Sequence, residues 1–299
     1  MQVICLPVRY GMEARVFIRE DGEADVTGVS DLVPWWSFTK TALAIALLRL
    51  SERGRISLDE AVDDKPYTPV QLLRHEAGLS DYGFLSRYHG DVEAGLLPWS
   101  VDDLLKAVEA ERLRYPPGQG WAYSNVGYLK VAKLIERTSE RHLADALADL
   151  VFSPAKLSTA RLATTPNDLA DVCMGDVAGY HPGWVYHGLI VGTVMDAARL
   201  LRSLFKGDLV KPETLSRMLV SVPLPQFRSE LLPDPAYGLG LMQRATDPLA
   251  HPIGHSGGGP GSRIAAYAQR GMTSVIWAAT SSGVDPDAEV FRVLRIGSI

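Results

Sequence analysis

Residues 35–54, WWSFTKTALAIALLRLSERG, read as a helix that is apolar on almost every side and stops at a glycine. A helix of that kind has no solvent face, so it must run through the middle of a protein with neighbours around most of its circumference. It is no membrane span: the longest apolar stretch of the chain, residues 41–48, falls far short of the roughly 20 residues that a bilayer requires. Covering such a helix takes a large body. A chain of 299 residues, 46% hydrophobic and 22% charged, provides one large domain or two ordinary ones. The same apolar content and a formal net charge of −5 exclude a disordered chain. No run of basic residues offers a face to nucleic acid. Cys5 and Cys173 are too few for a disulfide scaffold and have no CxxC spacing; whether they pair is open. Residues 1–15 carry Arg9, Glu13 and Arg15 and no continuous apolar stretch, so no secretory signal is visible. A soluble, cytoplasmic protein with no membrane or nucleic-acid partner is expected, its oligomeric state open.

Residues 14–29 read as two short strands around Glu20-Asp21-Gly22, with Val16 and Ile18 alternating with polar neighbours. Residues 59–69 are polar and proline-bearing, a plausible crossing between domains. The middle of the chain is mostly helical in pattern. Residues 101–113 place apolar side chains at 101, 104, 105 and 108, and residues 126–137 align Val126, Leu129, Ala132 and Ile135. Between these lies the turn Tyr115-Pro116-Pro117-Gly118. Another amphipathic helix covers 196–206 and closes at Gly207. Strand-like segments then follow at 237–243, 262–269 and 273–280, before a last helix over 285–294. Strands at both ends predict one antiparallel sheet built from both termini, with the helical part inserted. The expected division is a discontinuous α/β sheet domain, 1–61 with 185–299, and a mainly helical domain, 62–184.

Three Ser-x-x-Lys tetrads occur: Ser37-Phe38-Thr39-Lys40, Ser153-Pro154-Ala155-Lys156 and Ser203-Leu204-Phe205-Lys206. A serine hydroxyl needs a nearby base to become a nucleophile. On a helix, positions i and i+3 share a face, which brings a lysine within reach. That lysine works as a base only if burial or positive surroundings lower its pKa. Ser37 begins the buried helix, between apolar walls from Trp35, Trp36 and Phe38. Pro154 spoils the second tetrad, and Lys206 of the third reads as a C-terminal cap. The plain alternative for Ser37 is an N-cap beside a solvated lysine. Two further features weigh against it. Tyr123-Ser124-Asn125 stands directly before a helix, where Ser124 or Asn125 would cap and neighbouring side chains would project into a cleft. Gly254-His255-Ser256-Gly257-Gly258-Gly259-Pro260-Gly261 holds five glycines in eight residues, so its backbone can approach a ligand and supply an oxyanion donor.

The Gly254-x-Ser256-x-Gly258 pattern formally matches the nucleophile elbow of α/β-hydrolases, but that fold places its histidine after the serine. Every histidine here lies at or before position 255, so the match is rejected. Metal chemistry has no support either. Pro252 and Gly254 prevent His251 and His255 from sharing a helical face, and His75-Glu76 has no second histidine at ligand spacing. His181 and His187 flank a Pro-Gly turn and read as loop residues with satisfied hydrogen bonds.

A serine tetrad, a Tyr-x-Asn 86 residues later and a His-Ser-Gly near the C-terminus resemble the serine β-lactamase and penicillin-binding-protein superfamily. The similarity is to its class C β-lactamase and DD-peptidase-related branch. Leu72-Leu73-Arg74-His75-Glu76-Ala77-Gly78-Leu79 looks like the branch's LLTHTSGL segment. Tyr115-Pro116-Pro117-Gly118 ahead of Tyr123-Ser124-Asn125-Val126-Gly127-Tyr128 is similar to its PPGxxxxYSNxGY stretch. Tyr237-Gly238-Leu239-Gly240 with Gly254-His255-Ser256-Gly257-Gly258 matches its YGLG and GHSGG pairing. The resemblance implies a β-lactamase/transpeptidase-like α/β fold with the site where sheet and helical parts meet. It implies Ser37 as nucleophile, Lys40 as its base, and Tyr123 as a second proton-transfer group made more acidic by Lys40. Asn125 would bind the substrate amide and Lys40. His255, Ser256, Gly257 and Gly258 would line the substrate, with the amides of Ser37 and Gly258 as oxyanion hole. No metal or organic cofactor is required. The His-Ser-Gly replaces the Lys-Thr-Gly that class C β-lactamases typically carry, removing a cation that could hold a substrate carboxylate. A small ester or amide is therefore the expected substrate. DD-carboxypeptidase, D-aminopeptidase and weak β-lactamase remain as alternatives, and a catalytically silent scaffold as the reading from another class.

Overall fold

The structure is a computed structural model, which describes residues 12–296. Cys5, whose pairing was left open, and residues 1–11 of the stretch that shows no secretory signal lie outside them. The chain starts with the expected hairpin of β1 (Glu13–Ile18) and β2 (Ala24–Gly28). Alternation on β1 buries Ala14, Val16 and Ile18 on one face, whereas β2 is exposed along its length, as suits an edge. After β3 (Val33–Pro34) a 3-10 turn (Trp36–Phe38) leads into α1 (Thr39–Glu52). This is the central helix: every residue from Thr39 to Leu48 is buried, as is Leu50. It ends where Gly54 takes a left-handed φ of +70°.

The middle of the chain supplies α2 (Pro69–Leu73), α3 (Ser86–Glu93), α4 (Val101–Ala107), α5 (Asn125–Ser139) and α6 (Leu143–Leu147). α4 is shorter than its apolar pattern suggests. Glu109 adopts a left-handed φ of +49°, and Ala110 N donates to Leu105 O at 2.9 Å, so a Schellman-type closure ends the helix. Then come β4 (Arg161–Ala163) and β5 (Leu189–Gly192), which form a small antiparallel sheet ordered β3-β5-β4. Nothing in the sequence pattern signalled that sheet, because its strands are too short to display a period of two.

α7 (Val194–Phe205) and α8 (Pro212–Leu219) precede β6 (Val222–Pro223), β7 (Pro235–Tyr237) and β8 (Met242–Arg244). The segment 237–243, expected as one strand, is broken here into the ends of two. Gly240 sits in the break at φ +72°, where a Cβ would lie 2.6 Å from Ala44 Cβ, and its carbonyl accepts from Thr41 Oγ1 at 2.8 Å. Packing onto α1 thus turns the chain. β9 (Ile253–Gly259), β10 (Ser262–Gln269), β11 (Met272–Ala279) and α9 (Pro286–Ile296) complete the fold.

The main sheet is antiparallel throughout, ordered β2-β1-β11-β10-β9-β8-β7-β6, so strands from both ends of the chain lie side by side. α7 packs on one face against β1, β10 and β11. Val290, Phe291 and Leu294 of α9 cover the other, against Ala265, Tyr267 and Ile276. The molecule is an α/β fold of antiparallel sheet and flanking helices, as expected. Among the described residues no helix is long and apolar enough to cross a membrane.

Candidate active site

Ser37 sits in the middle of the 3-10 turn, and Lys40 is the second residue of α1. Trp36 takes a left-handed φ of +44°, a strained choice for so bulky a side chain. The turn is held from three sides: Trp35 N donates to Ile190 O on β5 at 2.9 Å, Trp36 Nε1 to Ser262 Oγ at 3.1 Å, and Thr41 Oγ1 to Gly240 O. In this turn Lys40 Nζ comes within 3.0 Å of Ser37 Oγ. Lys40 is the buried lysine of the three tetrads; Lys156 and Lys206 are exposed.

Tyr123 comes from the extended stretch before α5 and donates to Ser37 Oγ at 2.9 Å. Ser124 is the helix cap, accepting from Gly127 N at 3.0 Å, so α5 begins at Asn125. Asn125 is oriented by Asp81, whose carboxylate accepts from Asn125 N at 2.8 Å and from Nδ2 at 3.3 Å. Its Oδ1 is left to accept from Lys40 Nζ at 2.7 Å. Asp81 was not singled out in the sequence; its place shortly after the Leu72–Leu79 motif was the available signal.

Three histidines complete the surroundings. His187 does lie in a turn, just before β5, but its hydrogen bonds are not all satisfied. It is buried, with Nε2 3.2 Å from Lys40 Nζ, and its Nδ1 finds no partner among the described residues. His75, weighed only as a metal ligand, accepts from Ser124 N at 3.1 Å through Nδ1 and packs 4.5 Å from the Tyr123 ring. His255 is buried as well. A carbonyl can only accept, so Nδ1, 2.5 Å from Ser256 O, carries the proton, and Nε2 accepts from Tyr237 OH at 2.9 Å. His181 does behave as a loop residue, its Nδ1 accepting from Gly183 N at 3.0 Å.

Burial governs the charges. It pulls the Lys40 amine from 10.5 down to about 7, with Asp81 opposing it. Burial and then Lys40 drive His255 down to about 3, and burial, Lys40 and neighbouring histidines push His75 and His187 well below the usual range. The Tyr123 phenol is raised, chiefly by burial and further by Asp81, while its bond to Ser37 pulls the other way. That reverses the expectation of a more acidic phenol: desolvation outweighs the hydrogen bond to Ser37. At neutral pH the cluster therefore holds a protonated phenol, neutral imidazoles and an amine balanced between its two forms. A hydroxyl, a base and an acid meet in one place.

The glycine-rich segment is β9. It pairs with β8 only through Met242 and Gly254, so on that edge its later part runs beside the Ser37 turn, while its other edge pairs with β10 along its length. A Cβ on Gly257 would lie 2.7 Å from Ser37 N, and one on Gly259 would lie 2.5 Å from the Trp36 ring. His255 and Gly257 thus face the Ser37 turn. Ser256 does not. By strand alternation its hydroxyl points to the opposite face, where it donates to Asp287 Oδ1 and meets Tyr267 OH at 2.8 Å. Only its backbone can belong to the cleft. Gly258 likewise directs its vacant Cβ position toward Arg263. Among the described residues no group of histidine, cysteine, aspartate or glutamate could hold a metal ion.

A family model described as beta-lactamase matches residues 25–297. Penicillin-binding protein 4* of Bacillus subtilis is 24% identical over 254 residues, covering 75% of this chain and 55% of that protein. D-aminopeptidase of Brucella ovis is 30% identical over 134 residues, 44% of this chain and 24% of that protein. This chain thus spans between about a quarter and about half the length of these two relatives. Among solved structures, a D-stereospecific amidohydrolase from Streptomyces sp. superposes with a TM-score of 0.80 at 23% identity, covering 97% of this chain and 95% of that one. D-amino acid amidase from Ochrobactrum anthropi SV3 gives 0.74 at 19% identity, covering 97% and 94%. These structural likenesses establish the fold.

Proposed function

This chain belongs to the beta-lactamase family, and from that premise we propose that it is a serine hydrolase that cleaves small amides and esters through an acyl-enzyme on Ser37. One observation carries the reading: Ser37 Oγ lies between Lys40 Nζ at 3.0 Å and Tyr123 OH at 2.9 Å, with the amine buried and its pKa near 7. Neutral Lys40 takes the hydroxyl proton as Oγ attacks the carbonyl carbon. The amides of Ser37 and Gly258 stabilise the oxygen that becomes negative. Tyr123, kept protonated by burial, donates to the departing nitrogen or oxygen and is reprotonated from the Lys40 ammonium. Water then attacks the acyl carbonyl, surrendering a proton by the same path, and Ser37 is released. Asn125, fixed by Asp81, offers the substrate amide its remaining polar capacity.

His255 bears on the substrate. Both its ring nitrogens are engaged and it is neutral at pH 7, so it supplies no charge for a substrate carboxylate. That favours uncharged or amine-bearing acyl compounds over β-lactams. A narrower reading, aminoacyl amides, is supported by the Asp81 carboxylate beside Asn125 and by the names of the amidase and aminopeptidase relatives.

Labelling with a fluorophosphonate followed by mass mapping tests the nucleophile. The expected adduct is on Ser37; no adduct, the result a silent scaffold would give, or one on another serine overturns the proposal. A panel of p-nitrophenyl esters, D- and L-aminoacyl amides and nitrocefin then ranks substrates, with nitrocefin expected last.

A further inference from the structure

We propose that His187 is a positioning residue of this hydrolase, accepting a hydrogen bond from Lys40 so that the amine lone pair is aimed at Ser37 Oγ. The inference rests on the serine-hydrolase reading and adds a group that no sequence motif contains.

Three polar atoms surround Lys40 Nζ: Ser37 Oγ at 3.0 Å, Asn125 Oδ1 at 2.7 Å and His187 Nε2 at 3.2 Å. A neutral amine has two N–H bonds and one lone pair. Asn125 can only accept at Oδ1, because its Nδ2 is committed to Asp81. One N–H therefore points to Asn125. If His187 Nε2 accepts the second, the direction that remains is the lone pair, and it falls on Ser37, whose proton must be taken. If Nε2 instead carried a proton, it would occupy that lone pair and turn an N–H toward the nucleophile. Base function thus requires the tautomer with the proton on Nδ1.

Nδ1 is buried with no hydrogen-bond partner among the described residues, so no neighbouring donor forbids a proton there. A histidine kept there for packing alone would be better replaced by an apolar side chain. The groups facing the pair from the surrounding elements are Tyr123 and Tyr128 from the α5 side, His75 after α2, His255 on β9, and one carboxylate, Asp81. This setting is poor in negative charge and keeps His187 neutral, as the role demands. The mounting is firm. His187 stands just before β5, whose Ile190 N donates to Thr39 Oγ1 at 3.1 Å and whose Ile190 O accepts from Trp35 N, so one strand braces both the turn and the imidazole.

His187→Leu and His187→Gln test the role, since Gln offers an acceptor oxygen and Leu does not. For Leu, kcat is expected to fall about 10- to 100-fold with KM within about twofold, the scale of mispositioned acid–base catalysis. Losing an acceptor destabilises the Lys40 ammonium, so the acid limb of the pH–rate profile should move to lower pH. Gln should restore most of the rate and return the limb. Unchanged rate and limb in Leu, equal losses in Leu and Gln with an unmoved limb, or a loss confined to KM would each overturn the proposal. Nitrogen-15 NMR of histidine in the unaltered protein at pH 8 provides a test independent of folding or activity in the variants. Protonation of His187 at Nδ1 is expected, and protonation at Nε2 refutes it. An unaltered protein that fails to label at Ser37 overturns the hydrolase reading; one that labels while Leu is indifferent overturns only the role of His187.

Discussion

Lys40 is the residue whose energetics matter most, because its hydrogen-bond partners are all uncharged in the resting site. Its pKa falls from 10.5 in the open chain to about 7 in the fold. Between those values the unfolded state binds more protons, so stability rises with pH from about 7 to 10.5 and the full penalty is present below 7. That fall in pKa corresponds to at most ~5 kcal/mol. Lys40→Met keeps the length and removes the buried amine. It should raise stability by about 1–4 kcal/mol at pH 7 while abolishing acylation, the usual opposition of stability and activity. Urea unfolding measures the first effect and fluorophosphonate labelling the second; a less stable Met variant would contradict this account. In the unaltered protein, kcat/KM should rise with pH through a limb near 7, and a limb near 10 would remove Lys40 as base.

At the scale of elements, β9 and the Ser37 turn work as one unit. The glycine at 257 is required because a Cβ there would lie 2.7 Å from Ser37 N and from Trp35 O, both backbone atoms that cannot rotate aside. Gly257→Ala must push strand and turn apart. A displacement approaching 1 Å costs about 100-fold in rate, and the overpacking about 1–3 kcal/mol. Stopped-flow acylation and a urea midpoint would record both, and an alanine variant acylating at the native rate would show that the close approach is dispensable. The glycine run, the Ser37 tetrad and the Tyr-x-Asn could be read from sequence because each is local, its residues set by one turn or one helix start. His187 could not, because it meets a lysine 147 positions away through packing alone. The acidity of Tyr123 was misread for the same reason, since burial is a property of the whole fold. The helix 39–52 and strands 262–269 and 272–279 were legible through their apolar patterns. The break at Gly240 was not, because its cause is contact with α1.

For the whole molecule, we propose that residues 1–61 with 185–299 form the sheet domain and 62–184 the helical one. That division concerns architecture and does not imply separate stability. The largest buried cluster runs from Val16 and Val275 in the sheet through Leu43 and Leu47 of α1 to Leu72, Ile135 and Leu147 in the helices. α1 packs on α5 and α6 and, through Ala44 and Thr41, on Gly240 between β7 and β8, so neither unit can open without exposing apolar surface on the same helix. The site depends on both as well: Ser37 and Lys40 come from α1 and its turn, Tyr123 and Asn125 from the helical side, and His255 from the sheet. Unfolding should therefore be cooperative across the chain. Far-UV circular dichroism, the fluorescence of six tryptophans spread from Trp35 to Trp277, and Ser37 labelling should share one urea midpoint. An earlier transition seen by fluorescence, with sheet signal retained and labelling already lost, would mean that the helical part unfolds alone. In that case the central helix would be a hinge between two independent bodies, and the two units would not share one core.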